Sequence, residues 1–517
     1  MTHKDTKDIG SEWICYNTWQ KLKIDDVLRS KGWTEQDIQF AQTQVISRAV
    51  YPGSELATSR WIRENSAICE ITGFDEDKIN KDRLYRGAKK LYQVKEELET
   101  HLSLKTNELF DIKDKILLYD LTNTYFEGER RNSQLAKFGR SKEKRSDAKL
   151  VVLALVVNIH GFIKYSAIHE GSFADSAGLE KVIDHLDRSQ SDNRKVVVID
   201  AGIATEDNLK MISNKGYQYL CVSRTKLKDY KIDTDRLTVL METKAKYNIV
   251  LKKVADSGDR DYYLEVTSHK KGLKEEGMKN QFESRFELEL EKIKAALSKK
   301  GGTKTVDKVH QRIGRAKEKY RSVHSRYDIT VVNDAQDKKV IDLKWNKNPS
   351  KEQENKQGLG RYFIRTNMCI KDEVVIWNIY NTIREVEQTF RILKTDLDLR
   401  PIYHKTDEAT MAHLNLGLLA YWLVNTVRCQ LKTKGITSSW KEIVRIANTQ
   451  KAITTTGFNK AEQAITVRKC SQPTNKLKEI QEILNVKNRP YTKLKSVVHK
   501  LKTEKWNTYK LREISSG

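Results

Sequence analysis

Between residues 379 and 397 the apolar positions Ile379, Ile383, Val386, Phe390, Leu393 and Leu397 alternate spacings of four and three. That is one buried face of a helix. One step on, Tyr380, Arg384, Glu387, Arg391 and Lys394 repeat the same spacing, a second stripe roughly 100° round the helix. One carboxylate, two guanidiniums, one ammonium and one phenol therefore share a ribbon beside a core face. Such a ribbon suits a carboxylate that binds metal while its neighbours hold phosphate. Glu385 falls on nearly the opposite side, which selects Glu387. An ordinary amphipathic helix with i,i+3 and i,i+4 ion pairs carries the same spacing.

Elsewhere the periodicity changes with position. Residues 1–110 are helical in pattern, with Trp33, Ile38, Ala41, Val45, Ile46 and Ala49 in step up to Pro52. From 115 the texture is strand-like. LLYDLTNTYF alternates, and LVVLALVVN (150–158) is an almost unbroken apolar run, as in a strand covered on both faces. GFIKYSAIHEG follows a turn at His160–Gly161 and completes a hairpin. The pattern predicts a helix over 175–186, a strand at KVVVIDAG (195–202), a helix over 205–215 ended by Gly216, and a strand at YQYLCVSR. The order is β-β-β-α-β-α-β, with Asp120 in the first strand and Asp200 at the end of the fourth. Residues 225–365 break this order with several β-like runs around a charged helical stretch, 281–322, interrupted at KKGGTKT. An apolar helix follows near 409–429, then a basic tail whose clearest charged helix or arm is 493–510.

Composition narrows the function. The 517 residues carry 95 Lys and Arg against 70 Asp and Glu, a net charge of +25, which favours a polyanionic partner such as nucleic acid. Length alone suggests about three domains. The six cysteines form no C-x-x-C pair and read as reduced core thiols without a zinc site. The opening MTHKDTKDIG has no apolar run, so no signal peptide is expected. The apolar stretch at 411–427 is interrupted by His413, Asn415 and Asn425 and reads as a buried helix, not a membrane span.

Asp120, Asp200 and Glu387 are three carboxylates on two core strands and a helix. If the first and fourth strands are neighbours, the aspartates meet at one edge. Hard oxygen ligands of this kind hold Mg²⁺. Two such ions about 3.5–4 Å apart can activate an attacking oxygen and stabilise a leaving one. An Asp at a strand end is often only a turn or cap residue. Asp120 is sharper, because an unpaired carboxylate in an apolar strand is costly. Lys142, Lys144 and Arg145 precede a buried strand and could meet DNA phosphates or be a solvated loop. His160 and His404 read as structural.

The strand-borne aspartates, the element order and the late glutamate helix resemble the RNase H-like catalytic domain of DDE transposases. The stripe resembles the Y-R-E-K signature of bacterial insertion-sequence transposases: Tyr, two residues, Arg, three residues, Glu, six residues, Lys. Tyr380, Glu387 and Lys394 match in type and spacing, whereas Ile383 stands at the arginine position and Arg384 follows it. DLTNTYFEG, GRSKEKRSDAKL, HEGSFADS, DAGIATEDNL and FRILKTDLDLRPIYH are similar to the same group, with Gly171–Ser172 where its pattern has Gly-Asn. The resemblance spans roughly 40–430.

It implies an α/β, RNase H-like mixed sheet flanked by helices, interrupted by a mainly β insertion, with a helical N-terminal region and a basic helical C-terminal tail. The divisions expected are 1–110 for DNA-end binding, 111–224 and 366–430 for the catalytic core, 225–365 for the insertion and 431–517 for the basic region. It further implies cleavage at terminal inverted repeats and strand transfer by the freed 3′-hydroxyl. Asp120, Asp200 and Glu387 would bind two Mg²⁺, with Mn²⁺ able to substitute. Tyr380, Arg384, Arg391, Lys394, Lys142, Lys144 and Arg145 would contact DNA. The expected partners are double-stranded DNA, as terminal repeats and target, and a second copy of the chain in a homodimeric DNA complex. No membrane partner is expected. The implied location is the bacterial cytoplasm, on the nucleoid when DNA is bound. A DNA-binding protein that no longer cleaves and a metal-dependent nuclease of the same fold are the alternatives.

Overall fold

The computed structural model describes residues 1–142, 145–189, 195–224, 227, 230–242, 247–256, 261–336, 338–351, 358–370, 372–458, 460, 463–490 and 494–498. The chain forms two compact units, Met1–Tyr217 with Asn381–Gly517, and Gln218–Tyr380.

The first unit opens with a strand, β1 (Thr2–Asp8), that no apolar alternation announced, followed by α-helices up to Phe110. Helix Glu35–Val50 starts at Thr34, whose side chain and that of Asp37 cap each other's backbone N–H groups. It buries the expected Ile38, Ala41, Val45, Ile46 and Ala49. The core strands are β2 (Ile116–Tyr125), β3 (Leu150–Asn158), β4 (Ile163–Glu170) and β5 (Val196–Ile199). They lie in the order β4-β3-β2-β5. β3 is antiparallel to β2 and β4, and β5 is parallel to β2. Every residue of β3 is buried, which accounts for its unbroken apolar run. Gly161 turns the β3–β4 hairpin at φ +76°. There the Asn158 side-chain oxygen accepts the N–H groups of His160 and Phe162. The helix expected from residue 175 begins at Leu179 instead. Gly178 just before it has φ +82°, a left-handed conformation that a right-handed helix cannot include.

The second unit carries β6 (Gln218–Val222), β7 (Lys231–Glu242), β8 (Tyr247–Asp256), β9 (Tyr262–Ser268), β10 (Tyr327–Asn333), β11 (Val340–Lys347) and β12 (Arg361–Thr366). Within it β6, β12, β9, β8 and β7 form consecutive antiparallel neighbours. The charged stretch is two helices, His269–Ser298 and Val306–Lys319, broken where KKGGTKT predicted. They pack on the β10–β11 hairpin through Phe286, Leu290, Ile293, Ile313 and Leu343.

The chain re-enters the first unit near helix Ile383–Arg391, which packs on β2 and β3. The single helix expected over 379–397 is not continuous. One helix ends at Asn381 and the next starts at Ile383. From Ile392 to Asp396 the backbone is a π turn, in which Leu397 N–H reaches the Ile392 carbonyl at 2.9 Å. The wider turn takes the residues beyond it out of the four-three spacing. Helix Asp407–Thr433 follows, buried through most of its length. No helix of the described residues is long and apolar enough to cross a membrane. The region after 430, expected as a helical tail, carries strands as well as helices. β13 (Lys451–Phe458), β14 (Ala464–Cys470) and β15 (Leu494–Val498) join β1 in one antiparallel sheet. β15 occupies the start of the expected charged arm, and residues 499–517 lie outside the described residues. All six cysteines are free thiols, but Cys369 is exposed and not a core residue.

Candidate active site

The parallel pair β2–β5 is in register at Tyr119 and Ile199. The next residue on each chain is Asp120 and Asp200. Neighbouring residues in register on parallel strands point to the same face, so the two carboxylates stand side by side. Asp200 begins a tight turn: its carbonyl accepts the N–H groups of Ile203 and Ala204, and its Oδ1 accepts that of Ala201 at 2.8 Å. Asp120 lies mid-strand with its side chain 18 % exposed, and its Oδ1 accepts Leu121 N–H at 2.7 Å.

Burial pushes the Asp120 carboxyl up to about 6, and the charges of Asp200 and Asp175 add to that push. The Lys142 ammonium and the Leu121 N–H oppose it. Lys142 Nζ lies 3.6 Å from Asp120 Oδ1 and donates to the Leu121 carbonyl. Its loop is pinned by Asn123 of β2, which donates to the Arg140 carbonyl at 2.8 Å and accepts Lys142 N–H at 3.3 Å. Lys394, in the π turn, is the second cation of the cluster. Burial, helped by the Lys142 charge, pushes it down to about 8, and Asp120 draws it back. The site thus sets two ammonium groups against one buried carboxylate.

Glu387 is exposed on helix Ile383–Arg391, whose buried residues are Val386, Thr389 and Phe390. The helix is held by Tyr421, whose hydroxyl meets Thr389 Oγ1 at 2.9 Å and donates to the Gly161 carbonyl at 2.7 Å. The structure brings Asp120, Asp200, Lys142 and Lys394 together. It leaves Glu387 outside the group of charges that act most on Asp120, and the three carboxylates do not close on one another to within 4.8 Å. Glu385 is paired with Lys432 at 3.3 Å and lines a separate cavity of about 240 Å³ with His160 and Arg428.

The profile described as "Transposase DDE domain" matches residues 111–423, more than half of the chain. The chain belongs to the transposase DDE family. No curated protein matches it. One solved structure that it resembles is described as "Cryo-EM structure of piggyBac transposase synaptic complex with hairpin DNA (SNHP)". The two are 8 % identical, with 86 % of this chain and 82 % of that chain covered and a TM-score of 0.37.

Within this transposase family member the remaining stripe and loop residues are dispersed. Arg384 and Arg391 are exposed on the glutamate helix. The Arg391 charge acts on Asp396, whose carboxyl burial pushes up. Arg145 is bound to Asp147 by two hydrogen bonds of 2.9 Å and lies 4.6 Å over the Tyr125 ring, so its charge is already matched. Tyr380 belongs to the other unit, where it packs on Tyr362 and Trp377. Lys144 lies outside the described residues. Sequence reasoning missed Asp175. A Cβ placed on Gly202 would stand 3.5 Å from Asp175 Oδ2 and 3.9 Å from Asp200 Oδ2, so these carboxylates flank one glycine. Only the fold joins them, since Asp175 carries no spacing signal of its own.

Proposed function

We propose that this transposase cleaves DNA at the terminal inverted repeats of an insertion sequence and joins the freed 3′ ends to target DNA. The observation that carries this reading is the adjacent pair Asp120 and Asp200, with Lys142 and Lys394 beside it. The donor set fits a hard dication. Both aspartates offer carboxylate oxygens, and a cation would favour the charged form of the Asp120 carboxyl, which burial first and the Asp200 and Asp175 charges second disfavour. Asp120, Asp200 and Glu387 would hold Mg²⁺, or Mn²⁺ in its place. When bound, paired ions would activate the attacking oxygen and stabilise the leaving oxygen of an in-line displacement.

The chain's own cations would do the positioning. Lys394 is partly buried, and burial and the Lys142 charge disfavour its ammonium, so an arriving phosphate would favour its charged form. Lys142, 3.6 Å from Asp120, would hold a neighbouring phosphate. Arg384 and Arg391 would track the backbone outward, with Tyr380 as a further contact, whereas a phosphate reaching Arg145 must displace Asp147. The helices of residues 1–110 and the basic region after 430 would bind the repeats, with two copies of the chain paired on the DNA. The reading places the protein in the bacterial cytoplasm, on the nucleoid when bound.

The test is an incubation of purified protein with a labelled terminal-repeat duplex, a supercoiled target and Mg²⁺. Labelled 3′ ends joined covalently to the target are the expected result. Nicked duplex with no joined product would identify a nuclease, and tight binding without any cut would identify a DNA-binding protein.

A further inference from the structure

Away from the carboxylate pair, three metal-ligating side chains meet inside the first unit. Glu55 is the first residue of helix Glu55–Glu64, His404 lies in the loop before helix Asp407–Thr433, and His413 lies on that helix. One ligand atom from each lies within 4.8 Å of the others, which no other three such side chains achieve among the described residues. His404 Nε2 is 3.7 Å from Glu55 Oε1, and the two imidazole centroids are 4.7 Å apart.

His413 gives the cluster its direction. It is 9 % exposed, and its ring hydrogen-bonds the Leu399 carbonyl. Its Nε2 is buried with no hydrogen-bond partner. An imidazole that donates from one nitrogen to a backbone carbonyl presents the other as a bare lone pair, which is the arrangement of a metal-bound histidine. Burial, with Arg48 and His404 nearby, holds His413 well below its ordinary range, so the ring is neutral and able to ligate. A lone pair left unsatisfied in the interior is otherwise costly.

We propose that Glu55, His404 and His413 bind a divalent transition ion of the zinc type. Two imidazoles and one carboxylate suit Zn²⁺ and its neighbours better than Mg²⁺. A tetrahedral ion at about 2.0–2.2 Å from each ligand needs donor atoms about 3.3–3.5 Å apart. The Glu55–His404 pair is close to that separation, and the widest gap needs to close by roughly an ångström through side-chain rotation. The fourth position stays open to water. Arg48 faces the cluster, its charge acting on Glu55, His404 and His413, which opposes a dication. Two hydrogen bonds of 3.0 Å, to the Gly53 and Asp398 carbonyls, hold its guanidinium. The ion would tie the helix at Glu55 to the segment between the glutamate helix and helix Asp407–Thr433, independently of the ions of the carboxylate pair.

The test uses the full chain carrying Asp120→Asn and Asp200→Asn, so that the carboxylate pair does not contribute, stripped with a chelator and titrated with Zn²⁺ and Co²⁺. The expected result is one ion per chain, a visible absorption band for the Co²⁺ adduct and a rise in melting temperature with Zn²⁺. Loss of even an outer partner of a metal ligand costs about 10–100-fold in affinity, so His404→Gln and Glu55→Gln should each cost at least that. Both residues are partly exposed, and either variant suffices if the other misfolds. Failure of the parent chain to bind either ion would mean that water fills the cluster, and that overturns the proposal, as does binding unchanged in the variants.

Discussion

Asp120 and Asp200 follow directly on the paired residues Tyr119 and Ile199 of two parallel strands, and this one-residue relationship sets two carboxylates side by side on one face of the sheet. The consequences can be measured at the residues around it.

The Asp120 carboxyl sits at about 6 in the folded chain, above its ordinary 3.8. A raised acid holds its proton more tightly when folded. The associated stability is complete below about pH 4 and lost as pH rises through about 6. In chelator, Asp120→Asn should therefore be more stable than wild type at about pH 8, by up to about 3 kcal/mol, and the gain should vanish toward about pH 4. Denaturant melts across this range check it. Added Mg²⁺ should stabilise wild type at the higher pH and leave the variant nearly unchanged.

Lys394 is pushed the other way, down to about 8. A depressed lysine costs stability when it is forced to charge, and that cost is present at neutral pH. Lys394→Met should melt no lower than wild type at about pH 7. Its cleavage rate should nevertheless fall roughly tenfold to a hundredfold, since a charged hydrogen bond is worth about 1.5–3 kcal/mol. A variant that melts much lower while its folded fraction cleaves normally would make this lysine structural.

Tyr421 joins the glutamate helix to the β3–β4 hairpin through one hydroxyl. Tyr421→Phe leaves Thr389 and the Gly161 carbonyl short of a partner, at a cost of about 1–3 kcal/mol. Cleavage should fall while DNA affinity stays the same, because the helix that carries Glu387 loses its anchor. Affinity and single-turnover cleavage, measured together, separate the two effects.

A net charge of +25 implies that binding releases counterions. With about 6–10 phosphate contacts, the binding constant for a terminal-repeat duplex should drop by about 10³–10⁵ between roughly 50 and 200 mM salt. A flat salt response in a filter-binding titration would contradict a phosphate-tracking surface.

Much of this architecture was legible. The run LVVLALVVN reads as a strand covered on both faces, and β3 is buried throughout. Thr205 marked the start of its helix, where its hydroxyl accepts the Asn208 N–H. Asp120 in an apolar strand and Asp200 at the end of another were visible as chemistry out of place. What stayed hidden depends on distant partners or on backbone detail. β1, THKDTKD, is polar and largely exposed, and becomes a strand only because β13 lies beside it. The π turn at Ile392–Asp396 leaves no mark in the four-three spacing that it interrupts. Asp175 and the Glu55, His404 and His413 cluster are assembled by tertiary packing from segments far apart in sequence.

The most direct test compares Glu387→Gln with Glu385→Gln in Mg²⁺-dependent cleavage of a terminal-repeat duplex, beside Asp120→Asn and Asp200→Asn. Glu385 pairs with Lys432 at a partly exposed position, and such a pair is worth only about 0–1 kcal/mol. Cleavage should survive in Glu385→Gln and disappear in the other three variants, with DNA binding retained in all four. Cleavage retained by Glu387→Gln and lost by Glu385→Gln would contradict the assignment of the third carboxylate and the site built on it.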